Sequence, residues 1–241
     1  MTEFKLDVCI TVDVESDCPP FLDSFRGIEE GMPPLLELFG KEGLKATFFV
    51  AGNIAQRYPA AIREIVEQGH ELGSHGISHH DFSLMDPVMA VEEIRGSREL
   101  LGKFAPVISF RAPYLRFPDK YTHLLAQWGF LIDSSLARYK LSYYTRKRSS
   151  PIRRIPVSVT SSVLRLPEWL RDPWLRSLSS PVVLFVHPWE FIDLRKEKLP
   201  IDCRFKTGRE AFKSLRSAIS FFKRKKVNFL RMKDFLPLPL P

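Results

Sequence analysis

Apolar residues along this chain follow two periods that alternate. From Leu6 to Val12 the run LDVCITV is almost continuous and β-branched, then gives way to acids. That pattern predicts a strand buried on both faces that delivers Asp13 and Glu15 to its carboxyl end. Met32, Leu35, Leu36, Leu38 and Phe39 then fall at helical spacing within Ile28–Glu42, closed by Gly43, and Lys45–Val50 reads as a second buried strand. A helix over Ile54–Gln68 stopped by Gly69, a short strand His70–Ser74, and a helix Pro87–Phe104 behind an Asp86 cap follow. The rhythm continues with strand Val107–Arg111, helix Lys120–Gln127, and strands Phe130–Asp133, Ile152–Val157 and Val182–Val186, and ends with helix Glu210–Lys225 and strand Val227–Leu230.

Seven or eight strands alternating with helices predict a parallel sheet, either closed into a barrel or doubly wound, with ligands at the carboxyl ends of the strands. The rhythm fails between about residues 134 and 180, where Tyr, Arg, Ser and Pro are dense (RYKLSYYTRKRSSPIRRIP, PEWLRDPWLRS). This region is expected to shape a substrate groove or a membrane-facing surface. The closing LPLPLP is expected to be an extended end, and no internal repeat appears.

At 241 residues with 44% hydrophobic and 27% charged side chains, the chain is expected to form one domain spanning 1–241 that folds without disulfides or a structural metal. Three cysteines, Cys9, Cys18 and Cys203, are too few for a stapled secreted scaffold. The amino terminus carries acids where a signal peptide would be apolar, and no apolar run approaches membrane-spanning length, so a cytoplasmic location is expected. The formal charge of +8 would suit an anionic partner but reads better as a solubilising surface, and no nucleic-acid-binding motif accompanies it. The carboxyl-terminal helix stacks Phe212, Leu215, Ile219 and Phe222 ahead of Lys223, Arg224, Lys225 and Lys226. It reads as a barrel-covering helix or as a peripheral contact with anionic lipid.

Candidate chemistry concentrates at the strand ends. His75 and His79 lie four apart in GHELGSHGISHHDF, a spacing that lets two imidazoles converge on one ion. Asp13 and Glu15 flank Val14, so the period of two sends both acids to one side. Two histidines and one carboxylate make an open three-ligand site, leaving the other carboxylate as a base for water. Arg111, in FRAPY, is positioned to hold a carboxylate in its ionised form by a bidentate contact, and His187 ends a buried strand where it can donate a proton. Cys18 is placed to line the same pocket, whereas His70, His80 and His123 read as scaffold or surface residues.

These segments, Asp13-x-Glu15, KATFFVAGNIAQRYP, GHELGSHGISHHDF, FRAPY, GFLIDSS and LFVHPWE, resemble in order and spacing the polysaccharide deacetylases, carbohydrate esterase family four. The resemblance implies a distorted parallel (β/α) barrel of about seven strands and metal-assisted hydrolysis of an N-acyl amide, usually N-acetyl on an amino sugar of a glycan or glycolipid. It implies Asp13 as general base and Glu15, His75 and His79 as ligands of a divalent metal, with zinc expected. Arg111 would orient Asp13, the Tyr114 backbone N–H would bind the oxyanion, and His187 would be the general acid, tuned by Asp133.

The sequence departs from the family at two places. Val14 stands where most members carry a second adjacent aspartate, an arrangement similar to enzymes of peptidoglycan-like, lipid-linked or exopolysaccharide sugars and also to metal-independent, allantoinase-type relatives. LIDSS lacks the usual following Trp, which makes Trp189 the candidate for the acyl pocket. The alternatives to a deacetylase are an allantoinase-like amide hydrolase and a non-catalytic carbohydrate- or lipid-binding barrel. The sequence leaves the oligomeric state open.

Overall fold

The computed structural model describes residues 5–145 and 150–237. Residues 1–4, residues 146–149 within the Tyr/Arg-rich region and the last four residues of LPLPLP lie outside them.

The chain builds an all-parallel sheet of eight strands: β1 (Asp7–Val14), β2 (Thr47–Val50), β3 (Glu71–Ser74), β4 (Ser109–Phe110), β5 (Ile132–Asp133), β6 (Arg153–Arg154), β7 (Val182–Val186) and β8 (Asn228–Phe229). Their spatial order is β6-β5-β4-β3-β2-β1-β7, and β8 pairs with the first residues of β1. Beyond β6 the sheet curls back on itself. The Ser158 N–H donates to the Val183 carbonyl at 2.8 Å, and the Val183 N–H donates to Ser158 Oγ at 2.9 Å. The result is the expected distorted (β/α) barrel.

Strand β1 lies at the centre of the chemistry because DVCITVDV is buried along almost its whole length and hydrogen-bonds to β2 and β7 on its two edges. Parallel pairing with both faces covered explains the unbroken apolar run. At the opposite end of the barrel the interior is polar. Glu71 accepts from Thr47 Oγ1 (2.8 Å), Ser109 Oγ (2.6 Å) and the Lys233 N–H (2.8 Å), so a buried carboxyl is fully partnered there.

The helices are α1 (Met32–Glu42), α2 (Gly52–Arg57), α3 (Pro59–Glu67), α4 (Pro87–Leu101), α5 (Thr122–Gln127), α6 (Ser142–Thr145), α7 (Ser161–Leu164), α8 (Glu168–Arg176), α9 (Ile201–Arg204) and α10 (Arg209–Arg224). Asp86 caps α4 as expected, accepting from the Met89 N–H at 2.9 Å ahead of Pro87. The expected helix 54–68 is instead two helices. Tyr58 sits at φ −125° and ψ 54° because the residue before a proline is pushed out of the helical region, and Pro59 has no N–H to continue the ladder. Four expected strands, at 107–111, 130–133, 152–157 and 227–230, shrink to two paired residues each. The region 134–180, where the strand–helix rhythm was expected to fail, holds the short helices α6, α7 and α8, the last with Pro173 inside it.

One close approach positions the site. Residues Gly27–Gly31 form a single π turn ahead of α1 and pack on the loop after β7. A β-carbon on Gly31 would lie 2.2 Å from the Pro188 carbonyl oxygen, and one on Gly27 would lie 2.5 Å from the Trp189 nitrogen. Only glycine lets the turn meet that loop. On the far side, α10 buries Leu215, Ile219 and Phe222, and Lys223 is tied to Glu42 at 2.7 Å. No helix among the described residues is long and apolar enough to cross a membrane.

Candidate active site

The carboxyl ends of β1, β3, β4 and β7 converge on a cavity of about 190 Å³ lined by Asp13, Glu15, Cys18, His75, His79, Tyr114, Tyr139, His187, Trp189 and Cys203, among others. The pleat of β1 places Asp13 and Glu15 in this cavity and Val14 in the core, as the period of two requires.

Glu15, His75 and His79 offer ligand atoms that all lie within 4.8 Å of one another. His75 Nε2 is 3.4 Å and His79 Nε2 is 2.5 Å from Glu15 Oε2. His75 Nδ1 lies 2.7 Å from the Arg111 carbonyl oxygen, which can only accept. The proton is therefore on Nδ1, and the Nε2 lone pair faces Glu15, the tautomer and orientation that a metal ligand needs. His79 is buried and close to Glu15, yet its Nε2 is aligned for a hydrogen bond with no group among the described residues. Three converging donor atoms in a two-nitrogen, one-carboxylate set fit a divalent cation. Burial alone would raise the Glu15 carboxyl, but His79 and His187 outweigh it and hold it well below the usual range, in the ionised form a ligand must have.

The loop carrying His79 is held from α4. Glu93 accepts from the Ile77 N–H at 2.6 Å and from the Ser78 N–H at 3.2 Å, and Ser78 Oγ also donates to it. His79 itself sits at φ 60°, a strained conformation for a residue with a β-carbon.

Asp13 is clamped by Arg111, which is fully buried above the Phe49 ring. Arg111 Nη1 donates to Asp13 Oδ1 at 2.6 Å and to Thr11 Oγ1 at 2.7 Å, and Nη2 donates to Ser134 Oγ at 3.0 Å. The contact with Asp13 is a single hydrogen bond rather than the expected bidentate fork, because the remaining donors serve Thr11 and Ser134. Tyr114 stands opposite with φ 59°, its ring against His79 at a centroid distance of 4.8 Å.

His187 follows β7, and its Nε2 is 3.7 Å from Glu15 Oε1. Its ring stacks on Trp189 at 4.7 Å, and Trp189 Nε1 donates to Glu15 Oε1 at 3.2 Å. The expectation that Asp133 tunes this histidine is overturned. Asp133 Oδ2 accepts from Arg154 Nε at 2.9 Å and Oδ1 accepts from the Ser135 N–H at 2.8 Å, so both oxygens are spent on the scaffold. The partner of His187 is Glu190, whose Oε1 lies 2.8 Å from Nδ1, and Glu190 is in turn paired with buried Arg165 at 3.2 Å. Burial opposes a charge on His187, but the carboxylates of Glu15 and Glu190 outweigh it and push its pKa up to about 9. Sequence reasoning passed over Glu190, although it stands in the quoted LFVHPWE. Arg165 and Glu93 come from elements with no local motif.

The other histidines take scaffold places. His70 Nδ1 accepts from the Ala46 N–H at 3.0 Å, His80 contacts Ser78 Oγ at 2.8 Å on the surface, and His123 is exposed on α5.

Comparison with known proteins agrees with this geometry. Residues 7–132 match the polysaccharide deacetylase family. The chain is 30% identical over 179 residues to the peptidoglycan deacetylase of Helicobacter pylori, a match covering 71% of this chain and 58% of that protein. The solved structure of a peptidoglycan N-acetylglucosamine deacetylase superposes with a TM-score of 0.65 at 17% identity, covering 97% of this chain and 89% of that one. A family-four pseudoenzyme from Bacillus anthracis superposes with a TM-score of 0.68 at 16% identity, covering 97% of this chain and 66% of that one. Because the fold is shared with a pseudoenzyme, fold alone does not establish turnover, and that question falls to the residues in the cavity. By its matched residues the chain belongs to the polysaccharide deacetylase family.

Proposed function

We propose that the protein is a hydrolase that removes an N-acetyl group from an amino sugar of a glycan or glycolipid, assisted by a divalent cation. One observation carries this reading. A single cavity holds a two-histidine, one-carboxylate cluster, a second carboxylate clamped by a buried arginine, and a histidine oriented by its own carboxylate. A barrel that only bound carbohydrate or lipid would need none of these costly buried charges. The converged cluster also argues against the metal-poor, allantoinase-like alternative.

Glu15, His75 and His79 would hold the cation, and the donor set suits zinc. When bound, such a cation polarises the amide carbonyl and acidifies the attacking water. Asp13 accepts the water proton. Arg111 donates to Asp13 Oδ1 and leaves the second oxygen as acceptor. The Tyr114 backbone N–H donates to the developing oxyanion. His187, its Nδ1 held by Glu190, donates from Nε2 to the departing nitrogen, which leaves poorly as an anion and well as an amine. Leu115, Tyr139 and Trp189 line the cavity and form the wall for the acyl methyl. A cavity of about 190 Å³ admits an acetamido group and part of one ring, so the rest of a glycan lies outside.

The relative from Helicobacter pylori is named for peptidoglycan, which supports an N-acetylated glycan as substrate class, although the chain spans only 58% of that protein. The reading is tested by acetate release from N-acetylated chitooligosaccharides and peptidoglycan fragments. Release by the metal-loaded protein that is lost on chelation and in Asp13→Asn supports it, and no release from any N-acetyl substrate rejects it.

A further inference from the structure

The catalytic cavity contains two thiols that the mechanism does not use. Cys18 lies in the loop after β1, at φ 44° and 2% exposed, and Cys203 lies on α9, partly exposed. They are 185 positions apart, yet both line the cavity and pack with Trp189, Ile192, Leu194 and Leu199. Cys203 packs on the small apolar cluster that contains Cys18, so the two thiols share one stretch of cavity wall. Cys9, the third cysteine, is fully buried in β1 beside Thr47 and is a built-in control.

We propose that Cys18 and Cys203 are a redox-active dithiol in the wall of the active site, a modification site for two-electron oxidants of the peroxide class. Cys203 is the attacking sulfur because it is the more exposed of the pair and is the one that a peroxide in the cavity can reach. Its thiolate displaces hydroxide from the peroxide O–O bond and becomes a sulfenic acid. The Cys18 sulfur then attacks the Cys203 sulfur and expels water. In sum, two thiols and one hydrogen peroxide give one disulfide and two waters, with sulfur oxidised and peroxide oxygen reduced.

The pair is wired to the histidine that donates the proton. Arg165 donates to the carbonyls of Asp202 (2.6 Å), Cys203 (3.2 Å) and Phe205 (2.6 Å), and the same guanidinium pairs with Glu190, which holds His187 Nδ1. Drawing Cys203 onto Cys18 pulls on that clamp and narrows the cavity between the two thiols. Oxidation therefore lowers turnover reversibly, a consequence that rests on the function proposed above.

The test treats the full-length, metal-loaded chain with hydrogen peroxide, then quenches it with alkylating reagent under denaturing conditions. The thiol count is expected to fall from three to one, with the Cys18 and Cys203 peptides joined within one chain at a mass two hydrogens lower, and with Cys9 alkylated. Acetate release is expected to drop on the order of a hundredfold, the scale of a displaced general acid, and to return with dithiothreitol. Cys203→Ser is expected to form no linkage and to lose no turnover to peroxide. Three surviving thiols, a linkage between chains, or Cys203 over-oxidised beside a free Cys18 would each overturn the dithiol, and a disulfide without loss of turnover would overturn the gating. Should no N-acetyl substrate be hydrolysed, the proposed function fails while the peptide map still decides the thiol pair.

Discussion

Glu190 Oε1 lies 2.8 Å from Nδ1 of His187 and also accepts the His187 backbone N–H at 3.0 Å, so one carboxylate fixes both the ring and the chain that carries it. A cation on Glu15 would spend that carboxylate's charge and leave Glu190 as the main group favouring the imidazolium. Glu190→Gln keeps the shape and removes the charge. A general acid must be protonated to act, so activity is lost as pH rises through the His187 pKa, which stands at about 9 before any cation binds. In Glu190→Gln this alkaline limb of the pH–rate profile is expected to move to lower pH, with turnover at pH 8 falling about tenfold or more. An unmoved alkaline limb would exclude His187 as the acid oriented by Glu190.

The Arg111–Asp13 pair is buried on both sides, with Arg111 at 0% exposed and Asp13 at 3%. Removing the arginine alone leaves an uncompensated buried carboxylate and also strips hydrogen bonds from Thr11 and Ser134. Arg111→Ala is expected to lose about 3–5 kcal/mol of stability in urea unfolding. Asp13→Asn, which keeps the shape, should lose less stability and nearly all turnover. Equal stability losses would show that Arg111 does not hold the carboxylate.

Glu93 contacts no ligand directly but holds the backbone of Ile77 and Ser78, which sets the position of His79. Loss of such outer support loosens a ligand without deleting it. Glu93→Ala is expected to weaken zinc affinity by about 10–100-fold with stoichiometry preserved, as measured by competition with a chromogenic chelator. Unchanged affinity would place the control of His79 elsewhere.

His70 offers a stability test away from the site. Burial, with Lys45 and Arg231 nearby, pushes its pKa down to about 4. Between that value and the ordinary value near 6.5 the unfolded chain binds a proton that the folded chain does not, so stability is lost as pH falls through this window. Asn at this position can still accept from the Ala46 N–H. His70→Asn is expected to flatten the decline in urea midpoint between pH 7 and 4.5, which in the wild type corresponds to about 2 kcal/mol. Parallel declines in the two proteins would rule out His70 as the source.

The long elements were legible in the sequence because burial imposes a strong period. Strand β7 and helix α4 begin where the pattern places them, since Val182 opens an apolar run and Asp86-Pro87 is a cap. The two-residue strands were overread because apolar residues such as Val107 and Phe130 are buried next to the ladder without joining it. In the site, residues at strand ends were legible: Asp13, Glu15, His75, Arg111 and His187 all enter the cavity or touch a residue that does. Glu190 lies only three residues beyond His187 and closes a turn on it, a local pairing that the motif itself contains, while Asp133 is held by Arg154. What the sequence hid were contacts between distant segments. Cys18 and Cys203, 185 positions apart in sequence, come to line the same cavity only in the folded chain.

The central claim is that Glu15, His75 and His79 form a metal centre, and elemental analysis of the purified chain beside His75→Ala/His79→Ala tests it most directly. The account predicts about one divalent ion per wild-type chain and none in the double variant, with both proteins folded by circular dichroism. Wild-type chain that carries no ion, even after incubation with zinc, or a double variant that keeps its ion, would contradict it.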